Sequence, residues 1–264
     1  MKHISSIHNP SIKRITSLQE KSRERRKAGL FVVEGLREIQ LALDNKYAFA
    51  EIYWCPEILD NTTIIDNFPE ELLITEVTRE VYNKIAYRSS TEGILAIAKT
   101  KNHGLEDLTL PKNPLILVAE APEKPGNIGA LLRTADAAGV DAFILANART
   151  DLYNPNIIRS SVGGIFTQAI AMAGTEDVIA FLSANKIKAF SAILQDALPY
   201  QNQDFTGATA IVVGTEADGL TEPWRTATHQ NIIIPMQGEI DSMNVSVAAG
   251  ILIFEARRQR GFKK

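Results

Sequence analysis

The chain has 264 residues, 45% hydrophobic and 22% charged, which is ordinary globular usage and excludes a disordered chain, a coiled coil and a collagen-like fibre. The net charge of −3 is unevenly spread: residues 1–29 hold eight Lys/Arg and two Glu, residues 255–264 hold five and one, and the stretch between holds 15 Lys/Arg against 28 Asp/Glu, so two basic ends point to a polyanionic partner such as nucleic acid, or else to solvated helix faces. A single cysteine, Cys55, excludes an intrachain disulfide; no apolar run is long enough to span a bilayer, the N-terminus lacks the apolar core of a secretory signal, and a reducing, cytoplasmic setting is expected.

Residues 10–28 read as one basic helix, with Pro10 near its start and Gly29 just past its end. A short strand at Phe31–Val33 and a helix over 35–44 follow, the latter with Leu36, Ile39 and Leu43 at helical spacing. Strands are expected at Glu51–Cys55 and Leu72–Thr75, a helix from Thr78 to Ile85 and a strand over Gly93–Lys99. Residues 1–100 therefore form a small mixed α/β unit. The polar stretch 101–114, with Gly104, Pro111 and Pro114, reads as a linker.

From residue 115 the rhythm changes. Leu115–Ala119 is a continuous apolar run of the kind buried on both faces of a parallel sheet. A helix over Ile128–Ala138, a strand at Ala142–Ala146, helical material at 155–161 and a strand at 165–170 come next. Helix 176–184, strands Ala189–Ile193 and Ala210–Gly214, a short helix at 221–227, strand Asn231–Pro235 and a helix from Val245 to Arg260 complete the chain. Strands alternating with helices predict a parallel α/β sheet over 115–264.

Ligands of open parallel sheets bind at the carboxyl ends of strands. Three loops there are long, polar and rich in Gly or Pro: 120–129, 214–220 and 235–244. They carry Asn127 and Arg133, then Glu216, then Ser242 and Asn244. Taken singly, Asn127, Ser242 and Asn244 could be helix caps, and Arg133 and Glu216 surface charges. No G-x-G-x-x-G or P-loop signature is present, which argues against a dinucleotide or nucleotide-triphosphate enzyme. His3, His8, His103, His229 and Cys55 have no metal-ligand spacing, so no metal is expected.

Together the three loops resemble a known family. N-I-G-A-L-L-R (127–133), V-G-T-E-A-D-G-L (213–220) and I-P-M-Q-G-E-I-D-S-M-N-V-S-V-A-A-G (234–250) look like the three motifs of the SpoU/TrmH family of the SPOUT superfamily. Thr215 and Met243 stand where the family often has Asn and Leu. Weaker similarity of F-V-V-E-G-x-R (31–37) and of the segment from Arg88 to Ala96 links the first hundred residues to the small substrate-binding domain that precedes the catalytic domain in many members.

That resemblance implies an S-adenosylmethionine-dependent RNA ribose 2′-O-methyltransferase with a trefoil-knotted domain, working as a homodimer with its site close to the interface. The two-domain layout favours ribosomal RNA over tRNA; a non-catalytic RNA-binding protein is the other reading, against which the intact motif residues argue. The resemblance assigns the cofactor pocket to Gly214, Ile234 and Met243, with Pro235 and Met236 shaping its wall. It gives Arg133 the central catalytic role, as a base or, more easily for a guanidinium, as a grip on the phosphate beside the target ribose. Asn127, Glu216, Ser242 and Asn244 complete the polar shell. Arg159 and Ser160, in a segment resembling a further family motif, and Arg37 and Arg88 are expected to contact RNA. Beside such a domain, Arg23, Arg25, Arg26 and Lys27 become candidate phosphate contacts.

Overall fold

The computed structural model describes residues 2–61, 65, 68–87, 92–215, 218–239 and 242–262. The chain divides into two compact units, one of Met1–Lys101 with Asp151–Arg159, the other of Asn102–Thr150 with Ser160–Lys264.

The first unit is built on strands β1 (Lys2–Ile4), β2 (Leu30–Glu34), β3 (Phe49–Trp54), β4 (Ile74–Val77) and β5 (Ile94–Lys99), in the order β1-β4-β3-β5-β2. β1, β4 and β3 are parallel; β5 is antiparallel to β3 and β2. The expected helix over 10–28 is two helices. Pro10–Glu20 is capped by Asn9, whose side chain accepts from the Ser11 amide, and buries Ile12, Ile15 and Leu18. Lys21 is extended (φ −116°, ψ 110°), and a second helix, Ser22–Ala28, ends at left-handed Gly29 (φ 62°), as the glycine stop predicts.

Arg25 does not face solvent, which corrects its expected role as a phosphate contact. Its side chain is 3% exposed, and Nε donates to Asp151 Oδ2 at 2.5 Å. Nη1 donates to the Leu18 and Gln19 carbonyls at 2.6 and 3.0 Å. The break at Lys21 strands the last carbonyls of the first helix, and Arg25 satisfies them. Arg23, Arg26 and Lys27 are exposed.

Asp151–Arg159 contributes core to this unit. Tyr153 stacks on Phe31 with ring centroids 4.1 Å apart, and its hydroxyl accepts from the Lys101 amide at 3.0 Å. Leu152, Ile157 and Ile158 are buried.

Among the described residues the second unit holds seven strands, β6 (Leu115–Glu120), β7 (Ala142–Ala146), β8 (Ile170–Ala173), β9 (Lys188–Ala192), β10 (Leu198–Pro199), β11 (Thr209–Val213) and β12 (Gln230–Ile233). Their order is β10-β12-β9-β11-β6-β7-β8, and every pair is parallel. β6, β7 and β11 are buried at every position, which is why their sequences are unbroken apolar runs rather than alternating ones.

Two expectations change here. Residues 165–170 are not a strand: Gly164–Thr167 is one helical turn and β8 starts at Ile170. Val162 (φ 52°) and Gly163 (φ 88°) are both left-handed, so the chain reverses after the Pro155–Ser161 helix. The stretch 102–110 is not a free linker either. Met172 donates its amide to the His103 carbonyl at 2.7 Å, and Leu105, Leu108 and Leu110 pack on the core of the second unit. This segment covers a sheet edge that would otherwise present unpaired backbone.

Candidate active site

β6 and β11 lie side by side at the centre of the seven-stranded sheet. The chain leaves β6 for β7 on one side and leaves β11 for β12 on the other. This is the point in an open parallel sheet where a crevice forms between diverging connections. The loops after β6, β11 and β12 are the three singled out in the sequence.

The first loop turns at Ala121 (φ 44°) and enters the Pro125–Ala138 helix with proline in its first turn. Asn127 is the third helical residue rather than the cap, and is half-buried. Gly129, two residues on, lies under the Pro155–Ser161 helix: a Cβ there would stand 1.9 Å from Ser160 Oγ and 2.8 Å from the Ser161 amide nitrogen. The glycine of the first motif is thus the close-approach point of two helices, and Ser160 is the residue it admits.

The second loop folds back on itself. Thr215 and Gly219 exchange backbone hydrogen bonds of 3.0 and 3.2 Å, and Thr215 Oγ1 accepts from the Asp218 amide at 3.0 Å. A Cβ on Gly214 would meet the Gly219 carbonyl carbon and oxygen at 2.2 Å, so only glycine fits. The loop then buries Leu220 and is anchored at Thr221 by the carboxylate of Glu120. The third loop ends in Asn244, which caps the Val245–Gln259 helix by accepting from the Ser246 amide at 2.9 Å.

The second and third loops, with the loop after β9, line a cavity of about 440 Å³, within the size range of sites for nucleoside-sized ligands. Gly214, Ile234, Met236, Ser242 and Met243 line it. A smaller cavity of about 90 Å³ shares Gly214, Thr215 and Asp218 with it and reaches Asn127. Asn244 Nδ2 donates to Asn127 Oδ1 at 3.2 Å, so the first and third motifs touch. Two expected residues sit elsewhere. Pro235 is exposed and lines neither cavity, and Arg133 is exposed on the Pro125–Ala138 helix, also away from both linings. Glu216 and Arg88 lie outside the described residues. Arg37 and Arg159 are exposed on the first unit, where Arg159 shares a small hollow with Gln19 and Tyr87.

The sequence did not single out Ile193, Leu194 and Gln195, after β9, or Asp218 and Arg225, all of which line the larger cavity. The carboxyl-end rule covers the loop after β9 as well, but no glycine or proline draws attention to it. Asp218 and Arg225 are the charged groups of that lining among the described residues; Arg225 pairs loosely with Glu222 at 3.8 Å. Among the described residues there is no cluster of His, Cys, Asp or Glu that could hold a metal ion, and no helix long and apolar enough to cross a membrane.

The chemistry of the lining fits a nucleoside ligand. Aliphatic and thioether side chains form apolar walls, and three loop backbones supply donors and acceptors. Comparison with known proteins agrees. Residues 114–254 match the SpoU rRNA Methylase family, and residues 9–96 match the MRM3-like substrate binding domain. The chain is 28% identical to 23S rRNA (guanosine(2553)-2′-O)-methyltransferase RlmP of Bacillus subtilis, over 97% of this chain and 100% of that protein. A crystal structure of an RNA 2′-O ribose methyltransferase superimposes with a TM-score of 0.85 at 34% identity, covering 98% of this chain and 99% of that one. The AdoMet-bound rRNA methyltransferase of Sinorhizobium meliloti superimposes with a TM-score of 0.90 at 28% identity, covering 97% of each chain. With more than half its length matched and all three motif loops gathered at one sheet edge, the chain belongs to the SpoU rRNA methylase family.

Proposed function

We propose that the protein transfers a methyl group from S-adenosylmethionine to a ribose 2′-hydroxyl of ribosomal RNA. The observation that carries this reading is the cavity at the carboxyl ends of β9, β11 and β12, walled by the second and third motif loops and by the loop after β9. The side chains of Ile234, Met236 and Met243 line it and suit the faces of an adenine ring, while the backbone of Gly214, Ile234 and Met243 suits its edge. Bound there, the cofactor supplies a methyl group on a sulfonium, already a good leaving group. What is left to the protein is to hold the attacking hydroxyl in line, which alone can be worth about 7–11 kcal/mol, and to manage the proton that the hydroxyl gives up as the methyl group is transferred.

Asn127, held by Asn244, and Ser242 at the cavity wall offer polar contacts to the ribose, with Glu216 completing the set. Arg133 grips the phosphate beside the target ribose through its forked donors and stabilises developing negative charge on the attacking oxygen. Its position away from the cavity lining agrees with a role toward RNA rather than toward the cofactor. Arg23, Arg26, Lys27, Arg37, Arg88 and Arg159 carry RNA contacts on the first unit, and Ser160 contributes at its helix.

The protein acts as a homodimer in the cytoplasm. The Val245–Gln259 helix supports the dimer: Val247, Ile251 and Phe254 recur on one face, with Val247 54% and Phe254 42% exposed, a stripe that a second copy would cover. The knotted path implied by the family resemblance belongs to the same proposal. Mapping 2′-O-methylation in rRNA and tRNA from cells with and without the protein tests the reading. One rRNA ribose should lose its methyl group; a loss in tRNA alone, or none, would refute it. In vitro, Arg133→Ala should abolish transfer while cofactor affinity stays within a few-fold.

A further inference from the structure

Glu120 is the last residue of β6 and is 1% exposed. Its Oε1 accepts from Thr175 Oγ1 at 2.8 Å and from Thr221 Oγ1 at 2.6 Å, and its Oε2 accepts from the Thr221 amide at 2.7 Å. No ion pair reaches it among the described residues. A buried carboxylate held by neutral donors is expensive to keep, and among the described residues its donors come from two places. Thr175 begins the Thr175–Ala184 helix. Thr221 precedes the Glu222–Ala227 helix, and its hydroxyl is turned to Glu120 instead of capping that helix.

The Thr221 side is the informative one. Residues 214–220 run from the end of β11 to Thr221, and Gly214, Thr215, Asp218 and Gly219 line the larger cavity. The loop is fixed at its start by β11, in its middle by the Thr215–Gly219 bridge, and at its end by Glu120. Immediately beyond Glu120 begins the loop that leads into the helix carrying Asn127. One carboxylate therefore ties the end of the second motif loop to the root of the first.

We propose that Glu120 is a positioning residue that sets the 214–220 loop for cofactor binding, an inference that rests on the reading of this cavity as the cofactor site. It touches neither cofactor nor RNA; it acts through Thr221.

The two threonines provide the experiment, because they bond to the same buried carboxylate but only Thr221 continues into the cavity loop. Full-length Glu120→Gln, Thr221→Val and Thr175→Val are compared by calorimetric affinity for S-adenosylhomocysteine, by KM for the cofactor and kcat on a fixed RNA, and by denaturant unfolding. Both threonine variants should lower stability. Thr221→Val should weaken S-adenosylhomocysteine binding about tenfold and raise KM for the cofactor in parallel, with a smaller effect on kcat. Thr175→Val should leave the affinity within twofold. Glu120→Gln should weaken binding less than Thr221→Val, since its amide oxygen still accepts from the Thr221 amide while its NH2 donates to the hydroxyls. If Glu120→Gln does not fold, the threonine pair decides alone. Equal losses of affinity in the two threonine variants, or unchanged affinity in both, would overturn the proposal, because either result makes Glu120 a packing residue only. If the unaltered protein does not bind S-adenosylhomocysteine, it is the cofactor-site reading that fails.

Discussion

Asn244 and Asn127 are 117 positions apart in sequence, and the Nδ2 of the first donates to the Oδ1 of the second at 3.2 Å. The same Asn244 holds the start of the last helix, where its Oδ1 accepts from the Ser246 amide at 2.9 Å and from Ser246 Oγ at 2.6 Å. One side chain thus serves a helix cap and a link between two motifs, and the two duties are separable by chemistry. Asn244→Asp keeps the acceptor for the cap but removes the donor to Asn127. It should leave the melting temperature near that of the unaltered protein and lower kcat. Asn244→Ala removes both and should also cost about 1 kcal/mol of stability. Thermal unfolding and single-turnover transfer on the three proteins check this; equal kcat in all three would mean that the contact does not matter for transfer.

The basic helices now separate into two kinds of residue. Replacing Arg23, Arg26 and Lys27 by Gln should leave stability nearly unchanged. It should flatten the dependence of RNA affinity on log salt by about two units, at about 0.7 per phosphate contact on single strands. Sequence preference should persist, because phosphate contacts position RNA without reading it. Binding curves at several salt concentrations decide it, and parallel plots would make these side chains a solvated face.

Arg25→Ala should behave in the opposite way. It leaves Asp151, 11% exposed at its side chain, without its cation, and frees the Leu18 and Gln19 carbonyls. Breaking a buried pair from one side costs about 3–5 kcal/mol. Denaturant unfolding should show that loss, while the salt slope of RNA binding in the folded fraction stays unchanged.

Removing residues 1–101 should not give a well-behaved remainder. Leu152, Tyr153, Ile157 and Ile158 belong to the first unit and would lose their cover. The truncated chain should aggregate or bind a hydrophobic dye. Polar replacements at Leu152 and Ile158 should then restore a soluble species that binds S-adenosylhomocysteine. A monodisperse truncation without them would contradict this account.

Cys55 is 0% exposed, and burial pushes its thiol above the ordinary range. The thiolate is the reactive form, so at neutral pH the native protein should react with a disulfide reagent far more slowly than the denatured one. Fast reaction without denaturant would show local opening at the end of β3.

Much of the molecule was readable from residue patterns, for reasons that can be named. Leu115–Ala119 and Ala142–Ala146 have no polar position because both faces of a parallel sheet are covered. The loops that carry Asn127, Gly214 and Met243 drew attention because they follow strands and are rich in Gly or Pro; the assignment of Gly214, Ile234 and Met243 to a cofactor pocket came from the family resemblance. Long-range geometry escaped. The break at Lys21 carries no proline or glycine, and it determines that Arg25 points inward. The 165–170 run looks apolar enough for a strand, yet two left-handed residues just before it reverse the chain. Glu120 resembles any polar strand end until Thr175 and Thr221, 55 and 101 residues downstream, are seen to meet it.

Because Asp151–Arg159 completes the first unit, that unit is not finished when its fifth strand has been made. The missing segment follows Lys101 by roughly fifty residues, during which β6 and β7 of the other unit are synthesised. At about 5–20 residues per second, Phe31 waits several seconds on the ribosome for Tyr153, and Arg25 waits as long for Asp151. The nascent amino-terminal unit spends that interval with an open apolar flank and with Arg25 lacking its carboxylate partner. It is the stage of this protein's life at which chaperone contact would count most.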